Sequence, residues 1–187
     1  ARVAKISLAA GEKLAAHQGG ARVIYSLSDY SINWVEEGED MGTKSWKKGH
    51  VHFHEAGMHA AENSGTSQAE WLAFVRKNGE LLQCPESLPE NDVQSVAPDF
   101  TKVLLDNEQF KVTEITLPAG EKIPMHAGKN RLVYALSDYQ ILYEAEGEEK
   151  SEKSFQSGDV HWHEACGHAV ENIGQAEARF LVIAFKR

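Results

Sequence analysis

Long apolar runs are missing from this sequence. The longest, Phe180 to Phe185, has six residues, against the roughly 20 that a membrane-spanning helix needs. No basic segment followed by an apolar stretch opens the chain, so no leader is visible. The chain starts at Ala1 rather than Met, which leaves open a leader already removed. Basic charge is also short. There are 19 Lys and Arg against 28 Asp and Glu, a formal net charge of −9. Phosphate backbones and anionic lipid repel such a chain, so neither nucleic acid nor a membrane is an expected partner. Cysteine is scarce too. Cys84 and Cys166 are the only two and form no CxxC pair. The expectation is two free thiols in a reducing compartment, and hence a cytoplasmic protein. Finally, no window carries a helical apolar stripe, which excludes a helix bundle.

What is present is a repeat. His17 and His126 are 109 residues apart, as are His59 and His168, Arg22 and Arg131, and Asn63 and Asn172. At that offset, residues 2–78 and 111–187 share about 35 identities in 77 positions without a gap, which marks a duplicated unit. Three of the five prolines, Pro85, Pro89 and Pro98, fall in the polar stretch between the copies. The expected layout is one unit at 1–78, a linker at 79–98 and a second unit at 99–187.

Within each unit the pattern is short strands. Residues 2–8, 22–28 and 69–76 are rich in strand formers, as are 131–137 and 178–185. Asp29 and Asp138 interrupt as turn residues do. The charged stretches 36–43 and 144–152 read as loops. Short strands at this spacing predict an all-β protein built as sandwiches or barrels.

The histidines cluster. Residues 49–65 read GHVHFHEAGMHAAENSG and residues 158–174 read GDVHWHEACGHAVENIG. His161 and His163 alternate on a strand, so both face one side while Val160 and Trp162 face the other. His52 and His54 repeat the arrangement.

These motifs resemble those of the cupins, and the duplication resembles a bicupin. The second cupin motif, Gly-Asp, a short strand, a turn, then His-x-x-x-Asn, is matched by Gly158-Asp159 through His168 and Asn172. Gly49 through His59 and Asn63 match it with His50 in place of the Asp. Within that family the phrase HAVENIG resembles small proteins linked to β-alanine breakdown. The resemblance implies two tandem antiparallel jelly-roll barrels, an association like that of cupin dimers, and a metal site. The first cupin motif is matched in part. His126 takes its second His position, Pro124 its first, and Arg131 stands where a Glu belongs. Ala15, His17 and Arg22 do the same in the first copy.

The candidate metal ligands implied are His126, His161, His163 and His168 in one unit, and His17, His52, His54 and His59 in the other. Neutral imidazoles suit a divalent transition metal such as Zn, Ni or Fe. Arg131 and Arg22 repel a cation and suit a carboxylate, so they are candidate anchors for a small organic acid. A salt bridge from Arg131 to Glu164 or Glu171, and from Arg22 to Glu55 or Glu62, is the competing reading. Glu164 and Glu55 are candidate general bases or exposed turn residues.

Two functions remain open at this point. One is a metal-dependent enzyme, an oxygenase, isomerase or lyase, acting on a small carboxylated or hydroxylated metabolite. The other is a metal-free, non-catalytic module that holds a small anion on Arg131 and protonated histidines. The second reading expects anion affinity to rise as pH falls towards about 6.

Overall fold

The computed structural model describes residues 1–77 and 91–186. The chain divides into two compact units, Ala1–Gly79 and Glu80–Arg187. The first holds eight strands: β1 (Arg2–Leu8), β2 (Lys13–Gly19), β3 (Arg22–Ser26), β4 (Tyr30–Glu36), β5 (Glu39–Trp46), β6 (Val51–His54), β7 (Gly57–Asn63) and β8 (Ala69–Val75). They pair antiparallel from the outside inward, β1 with β8, β2 with β7, β3 with β6 and β4 with β5. Two four-stranded sheets result, ordered β1-β8-β3-β6 and β2-β7-β4-β5. This nested pairing is a jelly roll.

The second unit opens with a one-turn helix, α1 (Val93–Val96), and a 3₁₀ turn at Pro98–Phe100. Its strands are β9 (Thr101–Asp106), β10 (Phe110–Leu117), β11 (Lys122–Gly128), β12 (Arg131–Ala135), β13 (Tyr139–Ala145), β14 (Ser151–Phe155), β15 (Val160–His163), β16 (Cys166–Asn172) and β17 (Ala178–Phe185). β10 to β17 repeat the nested pairing. β9 extends one sheet to β15-β12-β17-β10-β9, while the other stays β11-β16-β13-β14. So the fold is all-β, as the sequence pattern predicts.

Most of the expected linker, its residues 79–90, lies outside the described residues. The end of that stretch belongs to the second unit. Asp92 bridges Ala127 on β11 and caps α1 by accepting from the Ser95 amide, and Val93 and Val96 pack on the core. Polar, proline-bearing sequence reads as a connector until a sheet gives its few apolar residues a surface.

β5 overturns the loop reading of 36–43. It is an edge strand, exposed along most of both faces, so it carries charge where an inner strand carries apolar residues. Glu37 and Gly38, with φ of 49° and 85°, make the two-residue turn that joins it to β4. In the second unit the stretch read as a loop, 144–152, holds the last residues of β13 and the first of β14.

Cys166 also overturns an expectation. It is disulfide-bonded, and no free cysteine occurs among the described residues. Its only possible partner within the chain, Cys84, lies outside the described residues. Sequence spacing says nothing of which thiols the fold brings together, and a formed disulfide removes the cysteine count as a pointer to a reducing compartment. Among the described residues no helix is long and apolar enough to cross a membrane.

Each core lies between the two sheets of its unit. In the first, Leu8, Ile24 and Trp71 from one sheet meet Tyr30, Ile32 and Ala61 from the other. In the second, Ile115, Val133 and Phe180 meet Ile123, Ile141 and Val170. A buried asparagine fixes the turn after β7 and after β16. Asn63 donates to the Leu8 and Ser67 carbonyls and accepts from the Gly65 amide. Asn172 does the same with Leu117, Ala176 and Gly174.

Replacing Asn172 by Ala strands the buried Leu117 carbonyl without its donor. The expected cost is about 2–4 kcal/mol, since a buried group left unpaired costs about 1–3 kcal/mol and three bonds are lost together. Urea denaturation of Asn172→Ala against wild type checks this, with Asn63→Ala giving a like value for the first unit.

Candidate functional site

In both units the histidines and the arginine arrive as cross-strand pairs. On one sheet Arg22 of β3 sits opposite His54 of β6, and Ile24 opposite His52. On the other, His17 of β2 sits opposite His59 of β7. The second unit repeats this with Arg131 opposite His163, Val133 opposite His161, and His126 opposite His168. Strand parity then sends the side chains inward. The residues between them on β15, Val160 and Trp162, are 42% and 41% exposed on the outer face.

A cavity of about 340 Å³ opens in the first unit and one of about 350 Å³ in the second. The first is lined by Arg22 and by all four of His17, His52, His54 and His59. The second is lined by Arg131, His126 and His168. His161 and His163 do not reach that cavity. They meet edge to face at 4.8 Å, and their outer faces are covered by Phe155 at 4.2 Å and Tyr143 at 5.3 Å.

Both guanidiniums are nearly inaccessible, Arg22 at 5% and Arg131 at 4%. Neither forms a salt bridge with an Asp or Glu among the described residues, so the expected ion pairs do not form. Glu62 pairs with Lys13 instead, and Glu36 acts on Arg22 only through its field, without an ion pair. Nη1 of Arg22 donates to the Gly20 and Glu55 carbonyls, at 3.0 and 3.3 Å. Nη1 of Arg131 donates to those of Lys129 and Glu164, at 3.0 and 3.2 Å. The glutamates at 55 and 164 thus supply main-chain carbonyls, and their side chains are exposed and outside both cavity linings. Burial lowers the pKa of Arg131, and the nearby Tyr143 side chain acts against that shift. The first unit has Trp34 at that position, and Arg22 lies 5.6 Å from its ring centre as a cation–π contact.

Two glycines make room for the guanidiniums. A Cβ on Gly128 would stand 2.4 Å from Arg131 Nη1 and 2.7 Å from His168 Cε1. One on Gly19 would stand 2.7 Å from Arg22 Nη1 and 2.3 Å from His59 Cε1. The space that a side chain would fill on β2 and β11 is therefore taken by arginine. This constraint was legible only as an identity at offset 109.

Burial favours the neutral form of seven of these imidazoles. Burial lowers the pKa of His52 to about 4, His54 to about 3 and His59 to about 4, with Arg22 adding to the shift in each. Burial does the same to His161, to about 4, and His163, to about 3, again with Arg131 opposing a second positive charge. His126 and His168 are lowered by burial and by Arg131. His126 and His17 donate Nδ1–H to the Pro124 and Ala15 carbonyls, at 2.8 and 2.9 Å. In the neutral His126 ring that fixes the tautomer and leaves Nε2 as a lone pair. Nδ1 of His52 and of His161 is buried without a hydrogen-bond partner.

Could this arrangement hold a metal? Among the described residues no group of three or more His, Cys, Asp or Glu side chains is placed to do so. A buried guanidinium, already shifting the neighbouring imidazoles, opposes a divalent cation beside it. As they stand the residues do not fit the metal that the motifs imply.

No protein-family model and no curated protein matches the sequence. Solved structures do. AerE from Microcystis aeruginosa superposes with a TM-score of 0.67 at 14% identity, over 98% of this chain and 86% of that one. Oxalate decarboxylase from Bacillus subtilis, in its structure at pH 4.6, superposes with a TM-score of 0.67 at 16% identity, over 98% of this chain and 68% of the enzyme. The fold is that of a two-domain cupin. In this chain the interior of each jelly roll carries the motif residues, and the same five positions, one Arg and four His, recur in each copy.

Sequence reasoning missed the aromatic lining of the first cavity, Tyr30, Trp34, Trp46 and Trp71. Inward parity on β4 and the offset of 109 were the signals that point to it.

Two tests arise from this geometry. Gly128→Ala forces Arg131 from its carbonyls and is expected to cost about 1–3 kcal/mol, as overpacking does; thermal unfolding measures it. Stability should also depend on pH. The folded pKa values lie below the ordinary 6.5, so these histidines bind protons only on unfolding between about pH 6.5 and pH 4. Stability is whole above that window and falls through it, by about 1.4 kcal/mol per pH unit for each such histidine. Urea midpoints at pH 7, 6 and 5 should decline steadily, and a constant midpoint would contradict buried neutral imidazoles.

Proposed function

We propose that this bicupin binds a small carboxylated metabolite inside its jelly rolls, with Arg22 and Arg131 as the anion anchors. The observation that carries the reading is a buried guanidinium, twice over, with no ion-paired carboxylate among the described residues. Burying a charge is costly unless it is paired. Here two carbonyls occupy one nitrogen and partial charges do most to offset the cation. A ligand carboxylate would complete the pairing through the planar fork. The Nε2 lone pair of His126 would accept a hydrogen bond from a ligand hydroxyl. The site needs no metal for this, and the ligand is a small organic acid.

The anion is held by arginine and not by imidazolium. Burial and the arginine hold His52, His54, His59, His126 and His168 below the ordinary histidine range, which opposes the rise in affinity near pH 6 that a protonated site would show.

A second reading is a metal-dependent cupin enzyme of oxygenase, isomerase or lyase type. It is supported by the likeness of fold to Bacillus subtilis oxalate decarboxylase, which carries Mn(II) centres, and by the four histidines kept in each unit. On that reading a divalent metal, Zn, Ni or Fe among the candidates, would polarise a substrate oxygen. It requires the arginine to move first.

Calorimetry on chelator-treated protein tests the proposal, with a panel of small mono- and dicarboxylates at pH 7. Binding is expected to survive metal removal, to vary little between pH 8 and 5.5, and to fall at least tenfold in the Arg22→Ala, Arg131→Ala double variant. Binding that returns only with added metal, together with turnover, favours the enzyme.

A further inference from the structure

The two cavities share one plan but differ wall by wall. At the offset of 109, Trp34, Trp46 and Trp71 of the first correspond to Tyr143, Phe155 and Phe180 of the second. The first cavity touches all three indoles and Tyr30. In both units the first two rings rest on the strand histidines, Trp34 on His54 and Trp46 on His52, Tyr143 on His163 and Phe155 on His161, but in the second unit Phe180 is the one such ring in the lining among the described residues. Aliphatic side chains make up the rest of that wall, Ile115, Ile123, Val170 and Val182.

The rims differ in charge. Arg2 and Lys77 line the first cavity, and neither has an acidic partner among the described residues. Their counterparts in the second, Lys111 and Lys186, are neutralised. Lys111 pairs with Asp92 at 2.7 Å, and Lys186 pairs with Asp106. Both carboxylates come from 91–106, a segment whose elements, α1 and β9, have no equivalent in the first unit. An unneutralised cationic rim draws anions towards the first cavity and not the second.

From these differences we infer that the first jelly roll selects a carboxylate carrying an aromatic ring, and that the second selects a small aliphatic one. The inference rests on the anion-binding function proposed above and adds the substrate class of each site. A flat ring inserted among Trp34, Trp46 and Trp71 meets indoles at several orientations, of which Trp34 and Trp46 already rest against histidines, and offset or edge-on ring pairs add about 0.5–1.5 kcal/mol each beyond area burial. Arg22, already against the Trp34 face, would take the carboxylate at the same end. A cavity of about 340 Å³ is at the small end of the range for ligand sites, roughly 300–1,000 Å³, so a single ring is the size that suits it.

Benzoate and valerate are the probes, titrated separately into chelator-treated full-length protein by calorimetry and by tryptophan fluorescence. Three of the four tryptophans line the first cavity, and Trp162 lies on an outer face of the second unit. Benzoate should therefore quench most of the emission and valerate little. Arg22→Ala should weaken benzoate at least tenfold, and Arg131→Ala should weaken valerate at least tenfold. Arg22→Lys, which keeps the charge and the fold, should still weaken benzoate severalfold. Exchanging Trp34→Tyr and Trp46→Phe, the residues of the second unit, should lower benzoate affinity about tenfold while circular dichroism shows a folded chain. Benzoate that responds to Arg131→Ala and not to Arg22→Ala overturns the assignment. Both acids binding both sites alike overturns the selectivity and leaves the anion-binding function standing. If no carboxylate binds, both fall.

Discussion

A buried guanidinium, with no carboxylate paired to it among the described residues, is the constraint around which each unit is built. Its charge cannot be left bare in a low dielectric. The chain answers with geometry and not with an ion pair. Two carbonyls, from the turn before β3 and the turn after β6, point at one nitrogen in the first unit, and their equivalents do so in the second. Gly19 and Gly128 lie against that same nitrogen. The surrounding imidazoles are kept neutral because a second positive charge there is doubly disfavoured, by burial and by the arginine. Turn carbonyls, strand glycines and histidine protonation thus all depend on one cation.

That dependence explains how a site dense in histidine can fail to be a metal centre as it stands. Imidazoles at alternate positions of a strand can look like ligands from their spacing. Ligation requires that their lone pairs converge on one point and that the point tolerate positive charge. Here the nearby charge is supplied by the protein itself. His126 and His168 contact each other at 4.1 Å, as do His17 and His59, while His161 and His163 are sandwiched by other rings. Rings stacked in this way stiffen the cavity wall, which suits a site that must present its arginine at a fixed place.

Duplication has left the frame intact and altered the lining. Asn63 and Asn172 make the same three bonds, and the nested pairing of eight strands is the same in both copies. Backbone staples tolerate no exchange, because each leaves a buried group unpaired. The walls do tolerate exchange, and there Trp has become Tyr or Phe, Ala has become Val, and a rim arginine has become a lysine paired with Asp92. The added segment 91–106 supplies those rim carboxylates and an extra edge strand.

Much of this was legible in the residues. The offset of 109 marked two like units, alternation marked strands, and the paired histidine motifs marked inward faces, because a strand period of 2 fixes which side chains share a side. The buried asparagines could be read as braces for the same reason. Tertiary structure alone decided the rest. The exposed edge strand β5 was hidden by its charge, since solvent on both faces removes the apolar signal. The bond at Cys166 was hidden because thiols meet through the fold and not through spacing. The partners of Arg22 and Arg131 could not be foreseen, because glutamate at 55 and 164 offers a carboxylate in sequence but only its main-chain carbonyl in space. The absence, among the described residues, of an ion pair to either arginine, on which the proposed function rests, is set by distances between strands that are remote along the chain.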